Sequence, residues 1–144
     1  MDIQVIKATK EHYEEIIKLY GDFVDDPQRF SNADNDSYLK FLDAPNSFMD
    51  LVVADNKIIA FITYTVRTVV RYPKSILEVE ELYVHPDYRK HGIGKKLMEH
   101  ILEYAKSIDC QYVFFASDMK RTEAHEFYKV LGFNEYGYHY RKKP

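Results

Sequence analysis

The segment VHPDYRKHGIGKKLMEHI, residues 84–101, decides how the rest of the chain is read. Within it Arg89, Lys90 and His91 lead into Gly92, Ile93 and Gly94, and an amphipathic run begins at once. Ile93, Leu97, Ile101, Tyr104, Ala105 and Ile108 recur at helical spacing and make one apolar face, with Lys95, Lys96, Glu99 and Glu103 largely outside it. Glycines entering a helix among cationic side chains suit an anion held on the free N–H groups of the first turn. A loop leading into a capped surface helix is the plainer alternative, and this segment alone does not choose between them.

Working outward, 144 residues are expected to form one domain with a real core, and 46% hydrophobic with 30% charged residues is ordinary for a soluble globular protein. The formal net charge of −3 argues against non-specific nucleic-acid binding, which relies on neutralising phosphates, so any positive patch must be local. The single cysteine, Cys110, excludes an intrachain disulfide and a multi-cysteine metal site. Its place just before the apolar run of residues 112–116 reads as a buried, inert thiol. The first residues include Asp2 and Lys7, unlike a signal peptide, and no apolar run approaches the roughly 20 residues of a membrane span. A cytoplasmic protein without membrane or nucleic-acid partners is the expectation.

Element signals run along the whole chain. DIQVIKA (2–8) alternates as a strand, and Thr9 can cap a helix carrying Tyr13, Ile16, Ile17 and Tyr20 on one side. Residues 21–36 are acidic, are broken by Pro27 and read as a loop; a short helix over 37–44 stops at Pro45. Asp55-Asn56 between two apolar β-rich runs predicts a hairpin, and SILEVEELYV (75–84) extends it to an antiparallel meander. QYVFFAS (111–117) reads as another strand. A helix over 121–131 follows, ended by Gly132, and YGYHYRK (136–142) reads as a final strand. The order β-α-α-β-β-β-α-β-α-β describes one mixed α/β domain over residues 1–144.

ELYVHPDYRKHGIGKKLM followed by RTEAHEFYKVLGF resembles the GCN5-related N-acetyltransferases. Their Arg/Gln-x-x-Gly-x-Gly/Ala signature is met by Arg89, Gly92 and Gly94, and their later aromatic pair and Leu-Gly-Phe turn by Phe127-Tyr128 and Leu131-Gly132-Phe133. Where many members carry Asn at the start of the last long helix, this chain has Arg121. KRTEAHEFY together with EVEELYV is similar to the aminoalkylphosphonate and some aminoglycoside acetyltransferases. The resemblance implies a mostly antiparallel twisted sheet flanked by helices, acetyl-CoA as cosubstrate, and a small-molecule amine as acceptor, with a homodimer left open.

It also assigns roles. The glycines would let the backbone approach the coenzyme A pyrophosphate, with donors from the amides of Lys90, His91, Gly92, Ile93, Gly94 and Lys95 and ionic contacts from Arg89, Lys90 and Lys95. The pantetheine arm would pair with Leu82, Tyr83 and Val84, and a bulge or splay there would free N–H groups for an oxyanion. An alkyl amine with a pKa of about 10.4 must lose a proton before it attacks. Glu78 is the first candidate for that base and Glu81 the second, with Glu80 beside them; one or more of these simply faces solvent or pairs with a cation. Tyr128 matches the family's acid for the thiolate, against a plain core tyrosine in the 124–131 stripe. His85, His91, His125 and His139 show no zinc-ligand spacing, so no metal is expected. Asp22, Asp25, Asp26, Asp34 and Asp36 would attract a polycation, whereas Arg67 and Arg71 would grip a phosphonate or carboxylate; both sets could equally be solvated. A non-catalytic acetyl-CoA sensor or a protein acetyltransferase are the alternatives to a small-amine enzyme.

Overall fold

A computed structural model describes residues 1–22, 34–117 and 122–144. Four antiparallel strands, β1 (Ile3–Lys7), β2 (Ser47–Ala54), β3 (Lys57–Arg67) and β4 (Ile76–Val84), run in sequence order, and β5 (Val113–Phe115) follows at the β4 edge. Leu77 donates to Tyr112 and Gln111 to Ser75, so the chain enters β5 parallel to β4 and the sheet is mixed, as the α/β reading requires. Helices α1 (Tyr13–Asp22), α2 (Asn35–Asp43), α3 (Ile93–Ser107) and α4 (Thr122–Val130) complete the elements. The chain forms two compact units, Met1–Phe114 and Phe115–Pro144.

Local chemistry explains the boundaries. The β2–β3 hairpin turns at Asp55 and Asn56, both at positive φ, the conformation in which these short polar residues are tolerated. Thr9 precedes a short 3₁₀ turn before α1, so the regular helix starts at Tyr13, later than the Thr9 cap alone suggests. Asp34, read above as part of the acidic loop, instead caps α2 by accepting from the Ser37 N–H at 2.8 Å, and Asp36 lies in the first turn. Asp25, Asp26 and Pro27 lie outside the described residues, as does the side chain of Asp22.

The first unit packs both faces of its sheet. Ile16 and Leu19 of α1 and Tyr38 of α2 bury against Met49, Leu51, Phe61 and Tyr83. On the opposite face α3 buries Ile93, Leu97, Met98, Ile101 and Ala105; Ile108, expected on that stripe, is exposed beyond the helix end. Burying one such aliphatic side chain contributes about 1.5–3 kcal/mol. The α3 face also holds a charge that no apolar pattern announces. Asp50 of β2 is 1% exposed and takes the Lys7 ammonium at 2.6 Å, the Tyr64 hydroxyl at 2.8 Å and His100 of α3 at 3.0 Å. The Lys7 ammonium lies 5.4–5.7 Å from the ring centroids of Phe48, Tyr64 and Tyr104, within cation–π range. Burial, then Asp50 beside it, pushes the Tyr64 phenol far above its usual range, so it remains a donor.

In the second unit α4 ends in a Schellman turn: Phe133 donates to Tyr128, Gly132 to Lys129, and Gly132 takes φ +94. The expected final strand over 136–142 does not form. Tyr136, Tyr138 and Tyr140 alternate as a strand would, yet they are 70–86% exposed, and residues 133–144 make no ladder. Alternation alone cannot supply the partner edge that a strand needs for its backbone groups. The strand read over 111–117 is likewise reduced to three residues.

Asp50→Ala should destabilise the protein by about 1–3 kcal/mol, because the buried Tyr64 hydroxyl loses its acceptor, while the exposed Lys7 and His100 side chains regain water. Urea unfolding monitored by far-UV circular dichroism checks this; a change below about 0.5 kcal/mol would show that the network is inert.

Candidate active site

Strand β4 sets the site by losing its alternation. Tyr64 pairs with Val79 and Thr63 with Glu81, leaving Glu80 as an extra residue on β4. With a strict period of two, Glu78 and Glu81 would point to opposite faces. The bulge brings them to the same one, since Glu78 pairs with Thr65 and Glu81 with Thr63, two residues apart on β3. That is the face covered by α1 and α2. Leu82 and Val84 point the other way, their methyl carbons 3.7 and 3.9 Å from where a Cβ on Gly94 would sit.

The two carboxylates differ in what they touch. Glu78 binds Arg67 at 2.8 Å, so its charge is already answered by a cation. Glu81 is half-buried and accepts from neutral hydroxyls, Tyr20 at 2.9 Å and Thr63 at 3.4 Å. Burial, then the Glu81 charge and its hydrogen bond, drives the Tyr20 phenol far above its ordinary range. Glu80 is exposed. Arg71, expected with Arg67 as an anion grip, lays its guanidinium over the Tyr72 ring at 4.8 Å.

At the end of β4 the chain passes through a short 3₁₀ turn, residues 86–88, and the Arg89 Nε donates to the Val84 carbonyl at 2.9 Å. Its guanidinium lies 5.6 Å from the Tyr83 ring, whose side chain belongs to the core. Arg89 thus fastens the loop to the strand. His91 contacts the Arg89 carbonyl at 2.8 Å, Lys90 takes φ +64, and Lys95 lies 3.8 Å from Glu99. Gly92 begins α3 at φ +77, in the left-handed region that glycine enters freely. Among the described residues no side chain caps this N-terminus, so its first amides and positive dipole end suit an anion. β5 is three residues long against nine in β4, and Leu77 lies level with Tyr112, so among the described residues the Glu81–Val84 end of β4 runs past β5. An extended chain could lie there. These two features fit the pyrophosphate and pantetheine arm of acetyl-CoA.

Tyr128 belongs to the second unit, on α4, where its ring packs edge-on against Phe115 at 4.1 Å. Arg121 lies outside the described residues. Cys110 is half-buried, and burial raises its thiol pKa, which makes it a poor nucleophile. Among the described residues no cluster of three His, Cys, Asp or Glu side chains could hold a metal, and no helix is long and apolar enough to cross a membrane. Tyr20 and Thr63 escaped the sequence reading. Tyr20 sits in the apolar stripe of α1 and looks like one more core aromatic; only its cross-element bond to Glu81 sets it apart.

The chain belongs to the acetyltransferase (GNAT) family, whose model matches residues 11–133. The aminoalkylphosphonate N-acetyltransferase of Salmonella typhimurium is 24% identical over 110 residues, 76% of this chain and 71% of that protein. An aminoglycoside N(6′)-acetyltransferase type 1 of Acinetobacter genomosp. 13 is 37% identical over 59 residues, 40% of this chain and 39% of that protein. Across four curated relatives the chain spans from 22% to 71% of their length. Among solved structures, a protein described as a transcriptional regulator from Bacillus halodurans superposes with a TM-score of 0.88 at 19% identity, covering 99% of both chains. At that identity the likeness shows the fold alone.

Gly94→Ala should leave the thermal midpoint near wild type, since the added Cβ meets Leu82 and Val84 only at ordinary contact distance. Its acetyl-CoA binding should stay near wild type as well, since the family signature accepts alanine at that position. Gly94→Val should weaken acetyl-CoA binding several-fold by obstructing close approach to the backbone. Lys96→Ala should change binding little. Titration calorimetry checks all three, and wild-type affinity in Gly94→Val would remove the loop from the cofactor site.

Proposed function

We propose that this chain transfers the acetyl group of acetyl-CoA to the primary amine of a small molecule, with Glu81 as the general base. The observation that carries the reading is the bulge at Glu80, which sets Glu81 beside Tyr20 and Thr63 at the end of β4 that adjoins the glycine-headed α3. Acetyl-CoA, held by the α3 amides and by the Leu82–Val84 backbone, supplies an acyl carbon activated as a thioester. The chain's own contribution is positional and protonic. Orienting the two reactants supplies much of the acceleration. Glu81 takes a proton from the acceptor ammonium, directly or through one water, and this is needed because such an amine is almost wholly protonated at neutral pH. Tyr128, a phenol carrying its proton at neutral pH, takes the part of acid for the departing thiolate, as the family resemblance implies. Glu78 is the weaker base candidate because removing its charge would strand Arg67.

The acceptor is a compact amine in this reading. Support comes from the aminoalkylphosphonate-acetylating relative and from Arg67, which would answer an anionic tail if it exchanged Glu78 for it. The acidic residues of the 21–36 stretch are the competing selector, for polycations; of these, Asp25 and Asp26 lie outside the described residues.

Release of free coenzyme A, followed with 2-aminoethylphosphonate, kanamycin, spermidine and a lysine peptide, tests the activity. Turnover is expected with a small amine. Tight acetyl-CoA binding without turnover would favour a sensor, and turnover of the peptide alone would favour a protein acetyltransferase. Glu81→Gln should lower kcat/KM at pH 7 by about 10²-fold and recover towards pH 10, whereas Glu78→Gln should cost less and show no such recovery. Equal loss at every pH would remove Glu81 from the base role. Tyr128→Phe should lower kcat while leaving acetyl-CoA affinity nearly intact.

A further inference from the structure

We propose that Tyr20 of helix α1 is a positioning residue for the reaction: its hydroxyl, with that of Thr63, holds the Glu81 carboxylate in one orientation and in its ionised form. The inference rests on the acetyl-transfer reading but concerns a residue that neither the motifs nor the relatives assign.

Three observations combine. The Tyr20 Oη–Glu81 Oε1 distance of 2.9 Å is that of a full hydrogen bond between a helix and a strand 61 residues apart in sequence. The donor is itself fixed: Ile16 and Leu19, 1% and 3% exposed, anchor the same helix face, and the Tyr20 ring packs against Phe61 at 4.8 Å. Phe61 lies two residues from Thr63 on β3, so one strand supports both donors to the carboxylate. A glutamate has three side-chain torsions, and two donors converging on one oxygen remove most of that freedom. Because Tyr20 is neutral, it stabilises the carboxylate without cancelling its charge, unlike the guanidinium beside Glu78. Its phenol does not ionise in the working range, so the donor is constant while Glu81 cycles its proton.

Tyr20→Phe isolates the hydroxyl, since the ring and its packing remain. The titration of Glu81 can be followed by carbon-13 NMR of labelled glutamate, with the Glu81 signal identified by its loss in Glu81→Gln. Its midpoint should rise by about one pH unit in Tyr20→Phe, as expected for losing one charge-assisted hydrogen bond, and by less in Thr63→Val, whose contact is longer. The acid limb of the kcat/KM profile should move up by the same amount, with a loss of about tenfold below it and near-convergence with wild type above it. The double variant Tyr20→Phe/Glu81→Gln should be no slower than Glu81→Gln alone. An unchanged Glu81 midpoint, a loss equal at all pH values, or additive losses would each overturn the role of Tyr20. The NMR measurement needs no acceptor, so absence of turnover by the wild-type protein would sink the acetyl-transfer reading separately.

Discussion

A β-strand presents its side chains alternately to two faces, and the extra residue at Glu80 breaks that rule where the candidate chemistry sits. Before the bulge, Leu77 and Val79 are buried while Glu78 faces the α1–α2 side; after it, Glu81 faces that side and Leu82 and Val84 face α3. Without the bulge either the carboxylates or the aliphatic residues would stand on the wrong face. The geometry of Tyr20, Thr63 and Gly94 around β4 therefore depends on one inserted residue.

The two faces of the sheet use charge differently. On the α3 side Asp50 is sealed by Lys7, Tyr64 and His100, and the whole arrangement ties β1, β2, β3 and α3 together. A charge so fully engaged suits structure. On the α1–α2 side Glu81 accepts from the Tyr20 and Thr63 hydroxyls and is half-buried. A carboxylate held by hydroxyl donors suits proton transfer. This difference in partners separates two acidic residues that look alike in sequence.

The glycine segment shows how loop and helix share the work. Arg89, matching the leading residue of the family signature, spends its Nε on the Val84 carbonyl and its guanidinium face on Tyr83. Gly92 then turns the chain at positive φ, so that α3 starts with its amides uncapped by side chains among the described residues. Any charge Arg89 lends to an anion comes from a side chain already fixed to the strand.

The sequence by itself determined the elements whose signals are local. The glycine entry to α3, the Asp55-Asn56 hairpin, the Gly132 stop of α4 and the apolar stripes each depend on neighbours a few residues away, and the family signatures lie within such stretches. It misplaced what depends on a distant partner. The tail tyrosines alternate correctly but find no edge to pair with. Asp34 left the loop for a helix cap, and Asp50 stood unnoticed in an apolar run. Motif position brings forward both Glu78 and Glu81, and their partners are decided by a bulge that no local signal announces. Tyr20, a core aromatic by its place in the stripe, became a candidate site residue only because packing of α1 on β3 brings its hydroxyl to Glu81 of β4. Periodicity reports which face a residue takes on its own element; which atoms meet there is fixed by how the elements pack.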